Sequence, residues 1–578
     1  MSKPLRDARR PAAALQPHTP RTDGAGRPDD KPARRDASGG RHLLERILNT
    51  PRLERVVPRL PPELLQRVIQ RCGLEDCGEL VALATPGQLE RVFDLDLWRA
   101  ARPGSDEQFD ALRFGVWLEV LAESGPAAAA RKLAAMDVNL VSGGLAQHAL
   151  VYDRAAVTPF ETLDGELVDA SLAVGDGLAA DLGGYVLVAR REDSWDAIVE
   201  VLTALDAEHP EYFHQVMAQC RSLSDSGREL DGLDDLLSES EQVMFDLAAD
   251  RERRRERQGY ATPAQARAFL RMSRELRPER DPMPPANPLA RAYFQTIEER
   301  EEADEQSESM PSAEGSEAPP APGDAAEAVA QVFDVLLEAG VIEQAPRALL
   351  GAPEGQAPRL GRIHAYMQSV LERDEAAYSR RNEELAYLAN TLMAGCALQG
   401  RPFTAEEASD AAAAVCNLGL ENWPPHWLMA NEAAAPGSFL VHQDLVSVFQ
   451  VGWSVLYRNV CAYAAEELIE TLARLRCDDR ETQTGLDALR IKLAGCLKAG
   501  APWRARNALD VIMTLDTPAW AALSALIDEC PVLHACFGAS GDSRPRSAGA
   551  SDFEFISENG QVAAVREFMR SLPEALRR

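Results

Sequence analysis

Residues 82–98, ALATPGQLERVFDLDLW, contain the local pattern that decides the fold class. Thr85 occupies the position of a helix N-cap, and Pro86 follows it where no backbone N–H is needed. Gln88 stands three residues after Thr85, which is the spacing of a capping box. Apolar residues then recur at helical spacing. The stretch therefore predicts the start of an amphipathic helix, over 86–97, and not a catalytic or binding motif.

The same helix start recurs along the chain. Thr158-Pro159, Thr262-Pro263 and Thr404 are each followed by Glu or Gln at the capping-box position. Thr517-Pro518 also predicts a helix start, with Trp520 where Glu or Gln would stand. The starts lie at irregular distances, so they indicate many helices without a tandem repeat. Ala and Leu dominate the composition and aromatic residues make up only 6%, which also favours a mainly α fold.

Three other segments refine this prediction. A helix is expected from Asp106 to Leu121, where apolar residues recur on one side. Between residues 148 and 190 the period changes, which predicts a small antiparallel β insertion of two or three strands. Residues 445–457, LVSVFQVGWSVLY, are uncharged but too short to span a membrane. We expect them to form a buried core helix.

Length and charge limit the function classes. A chain of 578 residues is too long for one core. Its formal net charge of −30 opposes binding to nucleic acid or to anionic lipid. No secretory signal is apparent, so the ten cysteines are expected to be reduced thiols in the cytoplasm.

Composition predicts how the chain is divided. The acidic stretch 298–327, EEREEADEQSESMPSAEGSEAPPAPGDAAE, predicts a disordered linker that proteolysis would cut first. The expected architecture is a helical array with the β insertion, then a second helical bundle. The expected division is a disordered tail, an N-terminal helical domain, the acidic linker, a C-terminal helical domain, a flexible break and a helical tail: 1–41, 42–295, 296–327, 328–538, 539–552 and 553–578.

Short motifs for catalysis or cofactors are absent from the sequence. There is no phosphate loop, no His-Glu-x-x-His pair and no Gly-x-Ser-x-Gly elbow. Residues 175–184, GDGLAADLGG, resemble a dinucleotide loop only in glycine content, because they precede a strand and do not open a helix. A loop between strands is the preferred interpretation, and no cofactor is predicted.

Cysteine and histidine spacings do not match a metal site. Cys530, His534 and Cys536 lie close together, as do Cys72 and Cys77, but neither group has the paired spacing of a zinc site. We therefore predict buried structural cysteines, without zinc or disulfide bonds. His209 and His214 are five residues apart across a proline, which favours surface histidines.

A basic run and a set of tryptophans can each be interpreted in two ways. The basic run 251–258, RERRRERQ, could bind an acidic partner, RNA or the acidic linker, but a solvated helix end is preferred. Trp423, Trp427 and Trp453 could line a pocket, but aromatic residues at helical spacing are more often part of a core.

Two resemblances follow from quoted residues. Residues 60–98, LPPELLQRVIQRCGLEDCGELVALATPGQLERVFDLDLW, resemble the stacked helices of the N-terminal domain of bacterial magnesium transporters. Residues 85–98, together with 262–271, TPAQARAFLR, resemble a family of large uncharacterised bacterial helical proteins. The second resemblance implies a mainly helical fold but carries no activity.

The sequence leaves the function open. The leading hypothesis is a non-catalytic interaction or scaffold protein, whose two halves bind different protein partners through helical surfaces. The alternatives are an enzyme whose site is assembled from distant residues, or a regulator that responds to divalent cations. A deep polar cleft with carboxylates or histidines would favour the enzyme, and a shallow apolar groove would favour the scaffold.

Overall fold

The computed structural model describes residues 33–102, 104–154, 160–161, 167–168, 178–225, 239–308, 331–336, 338–339, 360–427, 436–534 and 553–577. These residues form helices joined by short connections, with a few short antiparallel strands. The prediction of a mainly α fold is therefore confirmed.

The first half of the chain holds eleven labelled helices among its described residues. They are α1 (Ala33–Leu48), α2 (Leu53–Val56), α3 (Pro62–Cys72), α4 (Gly78–Leu83), α5 (Pro86–Asp96), α6 (Ala111–Glu123), α7 (Pro126–Ala134), α8 (Val138–Ala146), α9 (Trp195–Glu208), α10 (Pro210–Asp225) and α11 (Glu239–Arg257). Residues 1–32 of the expected disordered tail lie outside the described residues, whereas α1 begins within that tail at Ala33.

The helices that follow are α12 (Pro263–Glu275), α13 (Pro288–Glu308), α14 (Gly361–Leu371), α15 (Glu375–Gly395), α16 (Ala405–Glu421), α17 (Pro436–His442), α18 (Leu445–Leu456), α19 (Tyr463–Arg474), α20 (Arg480–Lys498), α21 (Asp510–Met513), α22 (Thr517–Leu526) and α23 (Asn559–Ala575). A π-helical turn, Tyr457–Ala462, joins α18 to α19, and a 3₁₀-helix spans Pro502–Leu509.

The strands are β1 (Trp98–Ala100), β2 (Glu107–Phe109), β3 (Ala149–Asp153), β4 (Phe160–Glu161), β5 (Leu167–Val168), β6 (Ala179–Leu182), β7 (Tyr185–Ala189), β8 (Val532–His534) and β9 (Phe553–Phe555). The predicted β insertion is confirmed, because β3, β7 and β6 form an antiparallel sheet in that order, with Val151 opposite Leu187. Gly183 and Gly184 have positive φ at the β6–β7 turn, a backbone conformation that favours glycine. The stretch 175–184 therefore contains strand β6 and this turn, while its first three residues lie outside the described residues.

The predicted capping box at α5 is confirmed. The Thr85 hydroxyl accepts a hydrogen bond from the Gln88 backbone N–H at 3.2 Å, and the Gln88 side chain accepts one from the Thr85 N–H at 2.9 Å. The Gln88 amide also donates to the carbonyl oxygens of Val57 and Leu60, at 2.8 and 2.7 Å. Gln88 thus closes its own helix start and fixes the preceding turn. Thr404 forms a second complete capping box at α16.

Two predicted helix starts were wrong, those at Asp106 and at Thr158-Pro159. Phe160 and Glu161 form strand β4, and residues 158 and 159 lie outside the described residues. The helix expected from Asp106 begins at Ala111, because residues 107–109 pair with 98–100 as β2 and β1, and Asp110 caps the helix through the Arg113 N–H. The helix start predicted at Thr517-Pro518 is present, because α22 begins at Thr517, but its cap is Asp516, whose carboxylate accepts from the Ala519 N–H. An aspartate one residue earlier offers a charged acceptor at the positive end of the helix.

Helix α18 is the buried core helix that the sequence predicted, since all of its residues are buried. It crosses α16 at two glycines, Gly419 and Gly452. A methyl group on either glycine would clash with a carbonyl oxygen of the other helix, that of Val448 or of Val415. The two helix backbones are therefore in direct contact. Among the described residues, no helix has the length and apolar character needed to cross a bilayer.

The buried side chains form two cores. The first contains residues between Leu43 and Leu247, and the second contains residues between Phe269 and Leu576. Helices α12 and α13 pack with the second core, whereas Val332 and Leu336 pack with the first. The packing thus changes between α11 and α12, upstream of the expected linker 296–327. Residues 296–308 of that linker belong to α13, and residues 309–327 lie outside the described residues.

Candidate functional site

Two adjoining cavities, of about 710 and 370 Å³, lie where the two halves of the chain meet. We call them together the arginine cleft. Its walls come from the β1–β2 loop, α12, the turn after α15, the 3₁₀-helix 502–509 and the end of α22. Both cavities are bordered by Gly104, Arg267, Trp503, Arg504 and Glu529.

Glycine contacts bring these walls together. Gly104 has φ of 72°, and a Cβ there would lie 2.9 Å from the carbonyl carbon of Gly395, at the end of α15. A Cβ on Gly395 would lie 2.7 Å from the Cβ of Ala266 on α12. The three segments therefore touch almost backbone to backbone, which side chains at these positions would prevent.

Arg267 holds the β1–β2 loop in place. Its guanidinium donates to the Gly104 carbonyl oxygen and, at 2.6 Å, to the Asp106 carboxylate. Because these contacts join residues more than 160 positions apart, Arg267 links the first half of the chain to α12. It is a structural arginine at the edge of the cleft.

Asp528 and Glu529 hold the opposite wall. The Asp528 carboxylate accepts from the Gln399 and Glu529 backbone N–H groups, at 2.6 and 2.8 Å, and lies 3.5 Å from the Arg506 guanidinium. Glu529 accepts from the Ala397 N–H at 2.8 Å. Burial raises the pKa of Asp528 to about 6. These carboxylates therefore fix the turn after α15.

The other arginines of the cleft have no such partners. Arg102, Arg271, Arg274 and Arg504 form no side-chain hydrogen bond or ion pair with any described residue. The Arg274 guanidinium lies over the Trp503 ring, 4.6 Å from its centroid, a cation–π contact. Burial lowers the pKa of Arg274, but a guanidinium stays charged in proteins. Six arginines and four carboxylates line the described cleft, within a chain of net charge −30.

Three tryptophans complete the cleft. Trp503 and Trp520 border the larger cavity, and Trp453 and Trp503 border the smaller one. The indole N–H groups of Trp453 and Trp520 are buried and have no acceptor among the described residues. Of the tryptophans considered for a pocket or a core, Trp427 and Trp453 are buried and Trp423 is half-buried against Trp427. Trp453 also stacks on Phe449, so it belongs to the core and to the cavity wall.

Neither of the two interpretations offered for the basic run 251–258 describes its contacts in the structure. Arg251 is only 3% exposed and bonds the Asp94 carbonyl oxygen and Glu107. Arg254 forms two hydrogen bonds to the Asp94 carboxylate, at 2.8 and 2.6 Å. Arg255 bonds Glu107 at 3.0 Å. We call this set of five residues the arginine clamp, since it fastens α11 to α5 and β2. It is neither a solvated helix end nor a free basic surface.

The histidine and cysteine groups do not form a common site. His209 lies at the end of α9, and His214 is exposed against Tyr185 and Phe213. Cys530 is buried and precedes β8, which contains His534, while Cys536 lies outside the described residues. The nine described cysteines are free thiols. Within the described ranges, no cluster of three His, Cys, Asp or Glu side chains is placed to hold a metal ion.

Sequence reasoning missed the arginine cleft, because its residues come from several segments that lie apart in the sequence. One local signal was present: Arg267, Arg271 and Arg274 recur at positions i, i+4 and i+7 of α12. This spacing places three charges on one helix face. The face is next to the predicted Thr262 cap, whose hydroxyl accepts from the Gln265 N–H.

Residues 35–229 match the model of a family of unknown function, DUF6178. This match is consistent with the predicted similarity to an uncharacterised family, and nothing supports the resemblance to magnesium transporters. No curated protein and no solved structure matches the chain. The matched residues include the β1–β2 loop of the cleft and end before α12.

Proposed function

We propose that the protein is a non-catalytic binding protein that holds a small anionic ligand in the arginine cleft. One observation carries the proposal: four arginines face the cavities without a carboxylate partner. Like charges held close together repel each other, so such a cluster gains stability when an anion enters. The combined size of the cavities suits a small molecule. An extended acidic protein would also meet the repulsion of a chain of net charge −30.

The interaction role predicted from the sequence is compatible with this proposal. The cleft lies between elements of both cores, so a bound ligand would connect them. We propose that the ligand stabilises one arrangement of the helical surfaces, and that protein partners in the cytoplasm recognise that arrangement. The expectation that the two halves of the chain bind different protein partners remains part of the proposal.

The carboxylates of the cleft favour binding over catalysis. A general base needs a carboxylate that can reach a substrate proton. Asp106 is held by Arg267, while Asp528 and Glu529 accept backbone N–H groups. These three are already used as acceptors inside the protein, which supports a binding role for them, and Asp510 is the one carboxylate of the described cleft that stays open to a ligand.

The proposal is tested by thermal unfolding in a buffer without multivalent anions. Inorganic phosphate, sulfate and citrate are added to the full chain at equal ionic strength, and the melting temperature is recorded. A ligand at 100 times its Kd stabilises the folded state by about 2.7 kcal/mol. We expect stabilisation of the wild type and of Arg474→Gln, an exposed arginine of α19 that bonds Glu470.

The double variant Arg274→Gln/Arg504→Gln should lose this stabilisation, because it lacks two of the unpaired charges. Equal stabilisation of the double variant and the wild type would place the anions elsewhere on the protein. The absence of any anion effect on the wild type would contradict the proposed function directly.

A further inference from the structure

We infer that the ligand of the arginine cleft is a phosphate monoester of a polyhydroxylated compound. Sugar phosphates and nucleoside monophosphates share this chemistry. The inference rests on the proposed function, since it assigns a ligand class to the same cleft. Its basis is the unequal net charge of the two cavities: four arginines and one carboxylate line the smaller one, whereas four arginines and four carboxylates line the larger one.

The smaller cavity is suited to the phosphate group. Arg271, Arg274 and Arg504 border it, and none of them forms a side-chain hydrogen bond or ion pair with a described residue. A phosphate monoester has close to two negative charges at neutral pH and three terminal oxygen atoms. Guanidinium groups bind such oxygens through paired, charge-assisted hydrogen bonds. Trp453 borders this cavity, and its buried indole N–H has no acceptor among the described residues.

The larger cavity is suited to a neutral, hydroxyl-rich body. Gln399 and Asn507 border it, and their amide side chains can both donate and accept hydrogen bonds. Asp510 borders it as well and can accept from a hydroxyl group. Four arginines and four carboxylates line this cavity, so their formal charges cancel and a second anionic group gains no net attraction here. The cavity therefore favours hydroxyl groups over the additional carboxylates of a polyacid such as citrate.

The wall of the larger cavity that contains Gln399 has a strained backbone. Gln399 has φ of 53°, which side-chain-bearing residues rarely adopt, and Gly400 follows with φ of 83°. Asp528 holds this conformation by accepting the Gln399 backbone N–H at 2.6 Å. Strained residues of this kind tend to occur at binding and active sites, where the surrounding structure enforces them. The turn thus brings Gln399 to the cavity at an energetic cost.

The two cavities are joined at Trp503 and Arg504, which border both. A phosphate in the smaller cavity would therefore leave its ester oxygen near these two residues, with the body in the larger cavity. Each end of such a ligand is recognised by a different set of side chains, and each set can be removed separately.

The test is isothermal titration calorimetry on the full chain at constant ionic strength. The probes are glucose 6-phosphate, adenosine 5′-monophosphate, glucose, adenosine, inorganic phosphate and citrate. We expect at least one phosphate ester to bind about tenfold or more tightly than inorganic phosphate and than its own unphosphorylated form. The preferred ester then distinguishes a sugar phosphate from a nucleotide.

Two variants test the two ends of the ligand separately, and a third is the control. Arg274→Gln should weaken ester and inorganic phosphate binding alike, by about tenfold, because a charge-assisted bond is lost. Asn507→Ala should weaken only ester binding, because inorganic phosphate does not reach the larger cavity. Arg474→Gln should leave all affinities unchanged.

Citrate binding as tight as that of the best ester would overturn the ligand class and leave the proposed function standing. Inorganic phosphate binding as tight as the best ester would do the same, because the body would then contribute nothing. The absence of binding by every anion would instead overturn the proposed function.

Discussion

The arginine clamp and the arginine cleft use the same side chain for opposite purposes. In the clamp, each of Arg251, Arg254 and Arg255 bonds a carboxylate, and Asp94 and Glu107 are largely withdrawn from solvent. In the cleft, four arginines have no carboxylate partner among the described residues. A dense basic run in the sequence is thus neutralised internally, whereas arginines from three separate segments form the charged surface. Whether each arginine is paired with a carboxylate decides its role, and the density of arginines along the chain does not.

The largest effect is expected in the clamp, from Arg254→Met. The Asp94 side chain is only 3% exposed and would lose both of its hydrogen bonds from Arg254. A buried carboxylate without its partner destabilises a protein by about 3 kcal/mol or more. Urea unfolding should show this loss. Arg253→Met is the matched control, because Arg253 is an exposed arginine of the same helix. Equal stability of the two variants would show that the clamp is not a structural ion pair.

A smaller effect is expected from pH, through Asp528 in the cleft. Burial raises its pKa in the folded state to about 6, above the usual value of 3.8. Protonated Asp528 is therefore favoured by folding, and the stability it contributes is lost as pH rises from about 4 to about 6. Relative to Asp528→Asn, the wild type should lose roughly 2 kcal/mol of unfolding free energy over this range.

The measurement is urea unfolding of both proteins between pH 4 and pH 7. The asparagine side chain does not titrate there, so the difference between the two proteins isolates Asp528. A difference that is constant with pH would contradict the raised pKa. A difference that grows in favour of the wild type as pH rises would mean that Arg506 outweighs burial.

The smallest effect is expected from Arg504→Met in the cleft. Arg504 is exposed and has no partner among the described residues, so its removal breaks no ion pair and relieves repulsion from its neighbours. Without ligand, the unfolding free energy should change by less than about 0.5 kcal/mol. A loss comparable to that of Arg254→Met would mean that the cleft is a second clamp and not an open site.

The sequence correctly predicted features that depend only on residues close together in the chain. The box of Thr85 and Gln88 needs only four residues, and the burial of α18 follows from its own uncharged run. The cap at Asp516 was missed because two adjacent residues could both cap the helix. The partners of the clamp could not be predicted, because Asp94 and Arg254 are 160 residues apart. The cleft also depends on contacts between segments that are distant in the sequence. Only the regular spacing of arginines on α12 was visible in the sequence itself.

The glycine crossing of α16 and α18 has a mechanical consequence. Gly452 precedes Trp453, which borders the smaller cavity, so the position of this wall is set by two helices already at their closest approach. Such a crossing cannot tighten further, and separating it would open a gap in a densely packed core. The wall of the smaller cavity that contains Trp453 is therefore rigid.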